Sequence, residues 1–400
     1  MYNVVGDNML KRDRYLNNVL KYLDTEFVKV ITGVRRAGKS FLLLMLKKHL
    51  KLQNKQILYL NFENPNTFDM HTSEKLYEYI KLNIDKSKKA YFLFDEIGEV
   101  ENWQKLINGL RVAFDCDIYI TGSNANILSG ELATYLSGRY VEIKVYPLSL
   151  EELALFSNNN NYDLVLDQYI KYGGFPSVAL VADQQMKTDV LKGIYNSIIL
   201  KDVSLRGDIK QIDILLKLSL YLLDNIGNTI SSSKISNYFN SQNQNVSSNT
   251  INRYLNLLEN SFIFYNAKRY DIRGKEYLKT LGKYYVVDLG IKNIMLGRMN
   301  INLGSTIENI VYLKLIQEGW NIFVGKYDNL EIDFVCFKEN RTKYIQVTLT
   351  IPKDSKRETD NLLLIRDNYE RLVVTYDYKD VGSVDGIKIV HLKDFLLNEV

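Results

Sequence analysis

Eight consecutive residues near the start of the chain have the types and spacing to hold phosphate. Gly33, Val34, Arg35, Arg36, Ala37, Gly38, Lys39 and Ser40 spell G-x-x-x-x-G-K-S, the Walker A pattern. Glycines let backbone N–H groups curl around an anion, and the N-terminus of a following helix adds a favourable dipole. Lys39 would reach β- and γ-phosphates, and Ser40 would ligate Mg²⁺. The expected cofactors are therefore ATP and Mg²⁺. Some 55 residues later, Tyr91-Phe92-Leu93-Phe94 runs into Asp95-Glu96, a Walker B pattern. Asp95 would hold Mg²⁺ directly or through water, and Glu96 would polarise the attacking water. Ser123 and Asn124 follow the apolar run Ile118–Ile120. They would contact the γ-phosphate or the attacking water, or else cap a helix. Arg139 would offset transition-state charge on a neighbouring subunit's ATP, or else favour a helix C-terminus.

These residues need a scaffold, and the sequence supplies an alternating one. Apolar runs at Phe27–Thr32, Gln56–Phe62, Ala90–Phe94, Asp117–Thr121 and Tyr140–Val145 read as strands. Helical patterns at Ser40–Leu50, Glu74–Ile84, Val100–Phe114 and Asn124–Leu136 separate them. Short apolar strands between helices predict a parallel sheet covered on both faces. The phosphate loop follows the first strand and the acidic pair ends the third, so both sites fall at carboxyl ends of strands.

The strings GVRRAGKS, YFLFDEI, ITGSNANIL, LSGRYVEIKVYPLSLEEL, YGGFPSV, KYYVVDLGIKN, STIENIVY, EIDFVCF and the later YIQV lie between Gly33 and Val347, within a likeness that runs from Leu23 to Phe395. In these the chain resembles the prokaryotic AAA-type ATPases that carry a C-terminal domain of unknown function. The resemblance implies an α/β fold: a P-loop NTPase parallel sheet, a helical lid, a winged helix-turn-helix, and a small α/β domain like the PD-(D/E)xK nucleases. The expected boundaries are 1–148, 149–208, 209–298 and 299–400.

Past Pro147 the pattern turns mostly helical. Ile212–Asp224, Ile230–Phe239 and Val246–Glu259 read as three helices, followed by strands near Phe262–Tyr270 and Glu276–Val287. Ile251, Leu255 and Leu258 would face a core, with Ser248, Asn249, Asn252, Arg253 and Asn256 outward. Lys268, Arg269, Arg273 and Lys275 would lie near the tip of a wing, where they could touch the phosphates of duplex DNA. A docking role for the same module is the alternative. Tyr172-Gly173-Gly174-Phe175-Pro176 reads as a sharp structural turn.

In the last hundred residues a helix at Leu303–Glu318 carries Glu308, a strand at Glu331–Phe337 carries Asp333, and Lys343–Thr350 forms the next strand. A helix at Ser355–Asn368 and a strand at Arg371–Tyr376 complete a nuclease-like order. Nuclease chemistry needs a second acid and a lysine where this chain has Gln346 and Thr348. An inactive remnant is expected.

Composition narrows the class further. The net charge is +4 and the apolar fraction 46%, ordinary for a globular protein. No apolar run approaches the ~18 residues of a membrane helix. Two cysteines and three scattered histidines provide neither a disulfide framework nor a metal motif. The start is polar, so a cytoplasmic location without membrane partners is expected, with a homo-oligomer possible. The expected function is an Mg²⁺-dependent ATPase acting as a switch. The alternatives are an ATP-regulated DNA-binding protein with little turnover and an ATP-gated nuclease.

Overall fold

The computed structural model describes residues 12–128, 135–136, 138–205, 207, 209, 211–297, 302–351 and 357–398, with backbone alone at 279–281 and 357. The chain divides into two compact units. One is Met1–Pro147 with Asn260–Phe262, and the other is Leu148–Glu259 with Ile263–Val400.

The first unit is built on five strands: β1 (Val28–Thr32), β2 (Gln56–Asn61), β3 (Ala90–Asp95), β4 (Cys116–Gly122) and β5 (Tyr140–Lys144). Their order is β2-β3-β4-β1-β5 and every pairing is parallel. Each falls within two residues of its predicted range. The predicted helix Asn124–Leu136 differs: Ala125–Leu128 is a single 3₁₀ turn, and residues 129–134 lie outside the described residues. Every residue of β1 and of β3 is buried. That includes Lys29 in mid-strand, and a buried ammonium is tolerable only when paired. Lys29 donates to the equally buried Asp117, whose other oxygen accepts from Tyr119 Oη at 2.9 Å and Asp24 N at 2.8 Å.

The second unit opens with helices at Leu150–Ser157, Tyr162–Tyr172 and Gln184–Ser197. Helices Ile212–Asp224, Ser232–Ser241 and Ser248–Asn260 then lead into a hairpin of β6 (Phe264–Asp271) and β7 (Glu276–Val286). Ile251, Leu255 and Leu258 are buried as expected, and Asn249, Asn252, Arg253 and Asn256 are exposed. The hairpin does not stand free as a wing. Helices Leu289–Leu296 and Leu303–Gln317 follow it. Then come β8 (Asn321–Tyr327), β9 (Leu330–Lys338), β10 (Arg341–Thr348), β11 (Glu370–Thr375), β12 (Gly382–Val384) and β13 (Ile387–His391). The strands form one sheet in the order β12-β13-β11-β10-β9-β8-β6-β7. Strand β6 pairs in parallel with β8 through Arg269↔Val324, Tyr270↔Gly325 and Asp271↔Lys326. An unpaired β6 edge would leave a row of backbone groups unsatisfied, and β8 takes it up. Strands β8, β12 and β13 have no counterpart in the sequence reading, because their short runs are broken by Gly, Lys and Ser.

Two segments of this unit meet around one carboxylate. Asp288 is 2% exposed and accepts from Gly174 N at 2.6 Å, Gly290 N at 2.9 Å and Ile291 N at 3.4 Å. Asn293 Nδ2 donates to the carbonyls of Ile170 and Lys171 at 2.8 and 3.1 Å. The fit leaves no room for side chains. A Cβ on Gly173 would lie 2.0 Å from Asp288 Oδ1, and one on Gly290 would lie 2.2 Å from Tyr172 O. The YGGFP turn and the DLGIKN segment are therefore two halves of one packing contact. No described helix is long and apolar enough to cross a membrane.

Gly290→Ala should destabilise this unit by about 1–3 kcal/mol or more, as overpacking against backbone does. Gly193→Ala is the control: that glycine is in the helix Gln184–Ser197 with open space around an added Cβ. It should be neutral or stabilising by about 0.5–1 kcal/mol. Denaturant unfolding of the two variants measures the contrast, and equal midpoints would contradict the packing described.

Candidate nucleotide-binding site

The phosphate loop begins where β1 ends. Gly33 has φ 140°, and a Cβ there would sit 2.1 Å from the Val145 carbonyl oxygen, so only glycine lets the chain turn off the sheet beside β5. Gly38 (φ 103°) and Arg36 (φ 69°) are also left-handed, and the helix Lys39–Leu52 starts directly after Gly38. The result is a curled loop ahead of a helix N-terminus, a ready anion cradle. Lys39 is 4% exposed and folds back over the loop, donating to Gly33 O at 3.0 Å and Val34 O at 3.2 Å. Its Nζ lies 3.8 Å from Glu96 Oε1. Arg35 Nη1 pairs with Glu63 Oε1 at 3.0 Å.

Strand order explains how the acids reach this loop. Strand β4 stands between β1 and β3. Its end therefore separates the loop from Asp95 and Glu96 and can bond to both acids. Thr121 Oγ1 donates to Asp95 Oδ1 at 2.7 Å and accepts from Glu96 N at 2.8 Å. On the other side Asn61 Nδ2, from β2, donates to Asp95 Oδ2 at 2.9 Å. Ser40 stands near enough to Asp95 to pull its carboxyl down. A hydroxyl beside a carboxylate offers oxygen donors of the kind Mg²⁺ takes. Burial pushes the Asp95 carboxyl above its ordinary range, against the pull of Thr121, Ser40 and Lys39. Burial likewise raises Glu96, with Lys39 opposing and Asp95 adding to the rise. Glu96 has φ 53° and ψ 50°. A left-handed glutamate is unusual, and such strain collects where function demands a fixed direction.

The structure thus gathers Gly33–Ser40, Asp95 and Glu96, with Ser123 and Asn124 buried at the adjoining end of β4. Asn124 Oδ1 accepts from Asn126 N at 2.8 Å, so it caps the following turn. Arg139 is not brought in. In the parallel register Tyr140 pairs with Val28 and Lys144 with Thr32. That places Arg139 at the opposite end of β1 from the loop, about 20 Å away along the strand. Its side chain is 58% exposed and lies 3.8 Å from Glu26.

Asn61 and Arg12 escaped the sequence reading as members of the site, and the hold of Thr121 on both acids becomes visible, like Asn61, only when strand order is known. Arg12 is 3% exposed, donates to Ala37 O within the loop at 2.8 Å, and reaches Pro147 O at 3.5 Å. Its guanidinium lies 4.3 Å from the Tyr15 ring centre. An arginine within the charged run Lys11-Arg12-Asp13-Arg14, more than twenty residues upstream, carries no sequence signal of this brace.

Thr121→Val keeps the shape but removes the donor to Asp95 and the acceptor for Glu96 N, both in a buried setting. It should cost about 1–3 kcal/mol of stability, measurable by chemical unfolding without any ligand. Wild-type stability in this variant would mean the hydroxyl does not hold the acids.

A model described as an AAA domain matches residues 25–154, and one for a domain of unknown function (DUF8612) matches residues 164–301. An uncharacterized protein of Haemophilus influenzae is 46% identical over 397 residues, covering 97% of this chain and 99% of its own. An uncharacterized protein of Methanocaldococcus jannaschii is 31% identical over 399 residues, covering 94% and 88%. Among solved structures, the Aeropyrum pernix ORC1 protein in complex with DNA aligns at TM-score 0.34 and 12% identity over 74% of this chain and 95% of that one. AMPPCP-bound DnaA from Aquifex aeolicus aligns at TM-score 0.30 and 13% identity over 61% and 85%. With a full-length relative at this level of identity and an AAA domain spanning the phosphate loop and its acids, the chain belongs to the prokaryotic AAA-type P-loop ATPases that carry a C-terminal domain of unknown function.

Proposed function

We propose that the protein is an Mg²⁺-dependent ATPase that uses ATP binding and hydrolysis to switch the arrangement of its parts. The observation that carries the reading is the convergence of Lys39, Ser40, Asp95 and Glu96 at the carboxyl ends of β1 and β3. When ATP enters, Lys39 exchanges the loop carbonyls for β- and γ-phosphate oxygens, and the backbone N–H groups of Gly33–Ser40 hold the rest of the phosphate chain. Ser40 and Asp95 would hold Mg²⁺, whose charge neutralises the phosphates. Glu96 orients a water and accepts its proton. Its raised carboxyl suits a general base, because a stronger base takes the proton more readily once ionised. Ser123 and Asn124 bound the space the γ-phosphate would fill. Arg139, at the far end of the strand, can serve catalysis only across a subunit boundary in a homo-oligomer. The part that would be switched is the chain after Pro147, whose helices and eight-stranded sheet form one compact unit.

A second reading, an ATP-regulated protein that binds duplex DNA through the three helices and hairpin, draws on the polar outward face of Ser248–Asn260 and the exposed Lys268 and Lys275. Two other cations of that group are already engaged: Arg253 Nη2 donates to Gly207 O at 2.6 Å and Arg273 pairs with Asp328 at 2.7 Å. This charge deficit favours the switch reading. ATPase turnover that rises with added duplex DNA, and falls back with salt, would favour the second.

Lys39→Ala should lose tight ATP binding. Glu96→Gln should keep ATP binding and slow hydrolysis by about 10²-fold or more. A nucleotide-binding titration beside a phosphate-release assay separates the two variants. A wild-type protein that binds no ATP would overturn the proposal, and wild-type turnover in Glu96→Gln would pass the base role to another acid. Arg139→Ala mixed with Glu96→Gln should recover part of the lost activity if the arginine acts in trans. No recovery, with a monomeric mass in ATP, confines Arg139 to its own strand end.

A further inference from the structure

In the second unit, three carboxylates converge on one point and a lysine occupies it. Lys283, on β7, places Nζ 2.9 Å from Glu308 Oε1, 2.9 Å from Glu331 Oε1 and 3.6 Å from Asp333 Oδ1. Its side chain is 6% exposed. Tyr285 lies two residues on and so on the same strand face. Its hydroxyl donates to Glu308 Oε1 at 2.6 Å. Gly227 closes in on the far side, where a Cβ would stand 3.2 Å from Glu308 Oε2. Asp333 is further fixed by Val347 N, which donates to Oδ2 at 2.9 Å. Gln346 turns its carbonyl oxygen to Asp333 N at 3.3 Å. Thr348 Oγ1 donates to Thr350 O at 2.9 Å.

A structural ion pair needs one carboxylate for one ammonium. Here three acids, from a helix and from β9, surround one cation, and Glu308 and Asp333 repel each other in a buried place. Several carboxylate oxygens gathered round one centre form the donor set of a hard divalent ion. We propose that Lys283 is a built-in cation standing where a divalent metal would otherwise bind, so that this α/β part holds its acid cluster without metal and excludes the ion that phosphodiester cleavage would require. The ammonium also ties the hairpin to helix Leu303–Gln317 and to β9, turning a metal-binding arrangement into a permanent clasp. The inference is independent of the nucleotide site.

Mn²⁺ binding to the nucleotide-free full chain, read by electron paramagnetic resonance of the free ion, tests it. Wild type should show no Mn²⁺ binding that Asp333→Asn removes. Lys283→Met should melt at a lower temperature than wild type. It should take up about one additional Mn²⁺ per chain through the freed carboxylate oxygens and regain melting temperature on Mn²⁺ addition. The double variant Lys283→Met with Asp333→Asn should lose that uptake. A folded Lys283→Met protein that gains no Mn²⁺ overturns the proposal. Should Lys283→Met fail to fold, wild type still decides: Mn²⁺ binding abolished by Asp333→Asn would mean the place is open, and its absence supports the closed one. Metal-dependent DNA nicking by wild type that Asp333→Ala abolishes would overturn it as well.

Discussion

The carboxylate of Asp95 has no solvent exposure, and a buried charge is stable only where donors surround it. Two donors come from separate strands, Thr121 from β4 and Asn61 from β2, and Ser40 approaches from the helix after the loop. Supplying all three at once demands that β4 lie between β1 and β3, that β2 flank β3 in register, and that the loop return the chain above them. The strand order of the first unit is in this sense the solution to seating one acid in a dry place with its oxygens satisfied. Glu96 follows from it, since its own N–H is held by the same threonine. Lys39 in turn lies close enough to offset the pair.

The second unit meets the same difficulty differently. Asp288 is satisfied by backbone N–H groups from two distant segments, which forces glycine at the contact. Lys283 is satisfied by side chains from a helix and a strand. In both cases a buried charge decides which elements must be neighbours, and the apolar core fills the space those neighbours leave. Burial holds the Asp288 carboxyl up at about 7 despite its backbone donors, and the Lys283 ammonium above its ordinary range through the acids around it.

The legible part of the molecule was the part written locally. The five strands of the first sheet are short apolar runs, and the loop and acidic pair are contiguous strings, so the core of the candidate site could be read directly. The outward and inward faces of Ser248–Asn260 were legible from helical periodicity. What was hidden depends on partners far along the chain. The hold of Thr121 on the two acids is invisible until β4 is placed between β1 and β3. Strand β8 went unread, because Gly325 and Lys326 interrupt it, and with β8 unseen the hairpin looked free. Lys283 carried no reading of its own, because nothing in its segment announces three acids at 308, 331 and 333. Arg139 was placed correctly before β5, but only the parallel register reveals that this is the wrong end of the strand for its own loop.

The bond between Gly174 N and Asp288 spans 114 residues, and this has a bearing on the order in which the chain can fold as it is made. Long-range closure is slow because chain entropy must be given up before any contact compensates. The strands of the first sheet are all present once Lys144 has been synthesised, so that sheet can close early. The turn at Gly173 cannot settle until Asp288 arrives, and β6 has no partner on its outer edge until β8 follows. For the time it takes to make well over a hundred residues, the helices after Pro147 must wait with their packing surface open, the interval in which exposed apolar surface is most prone to aggregate.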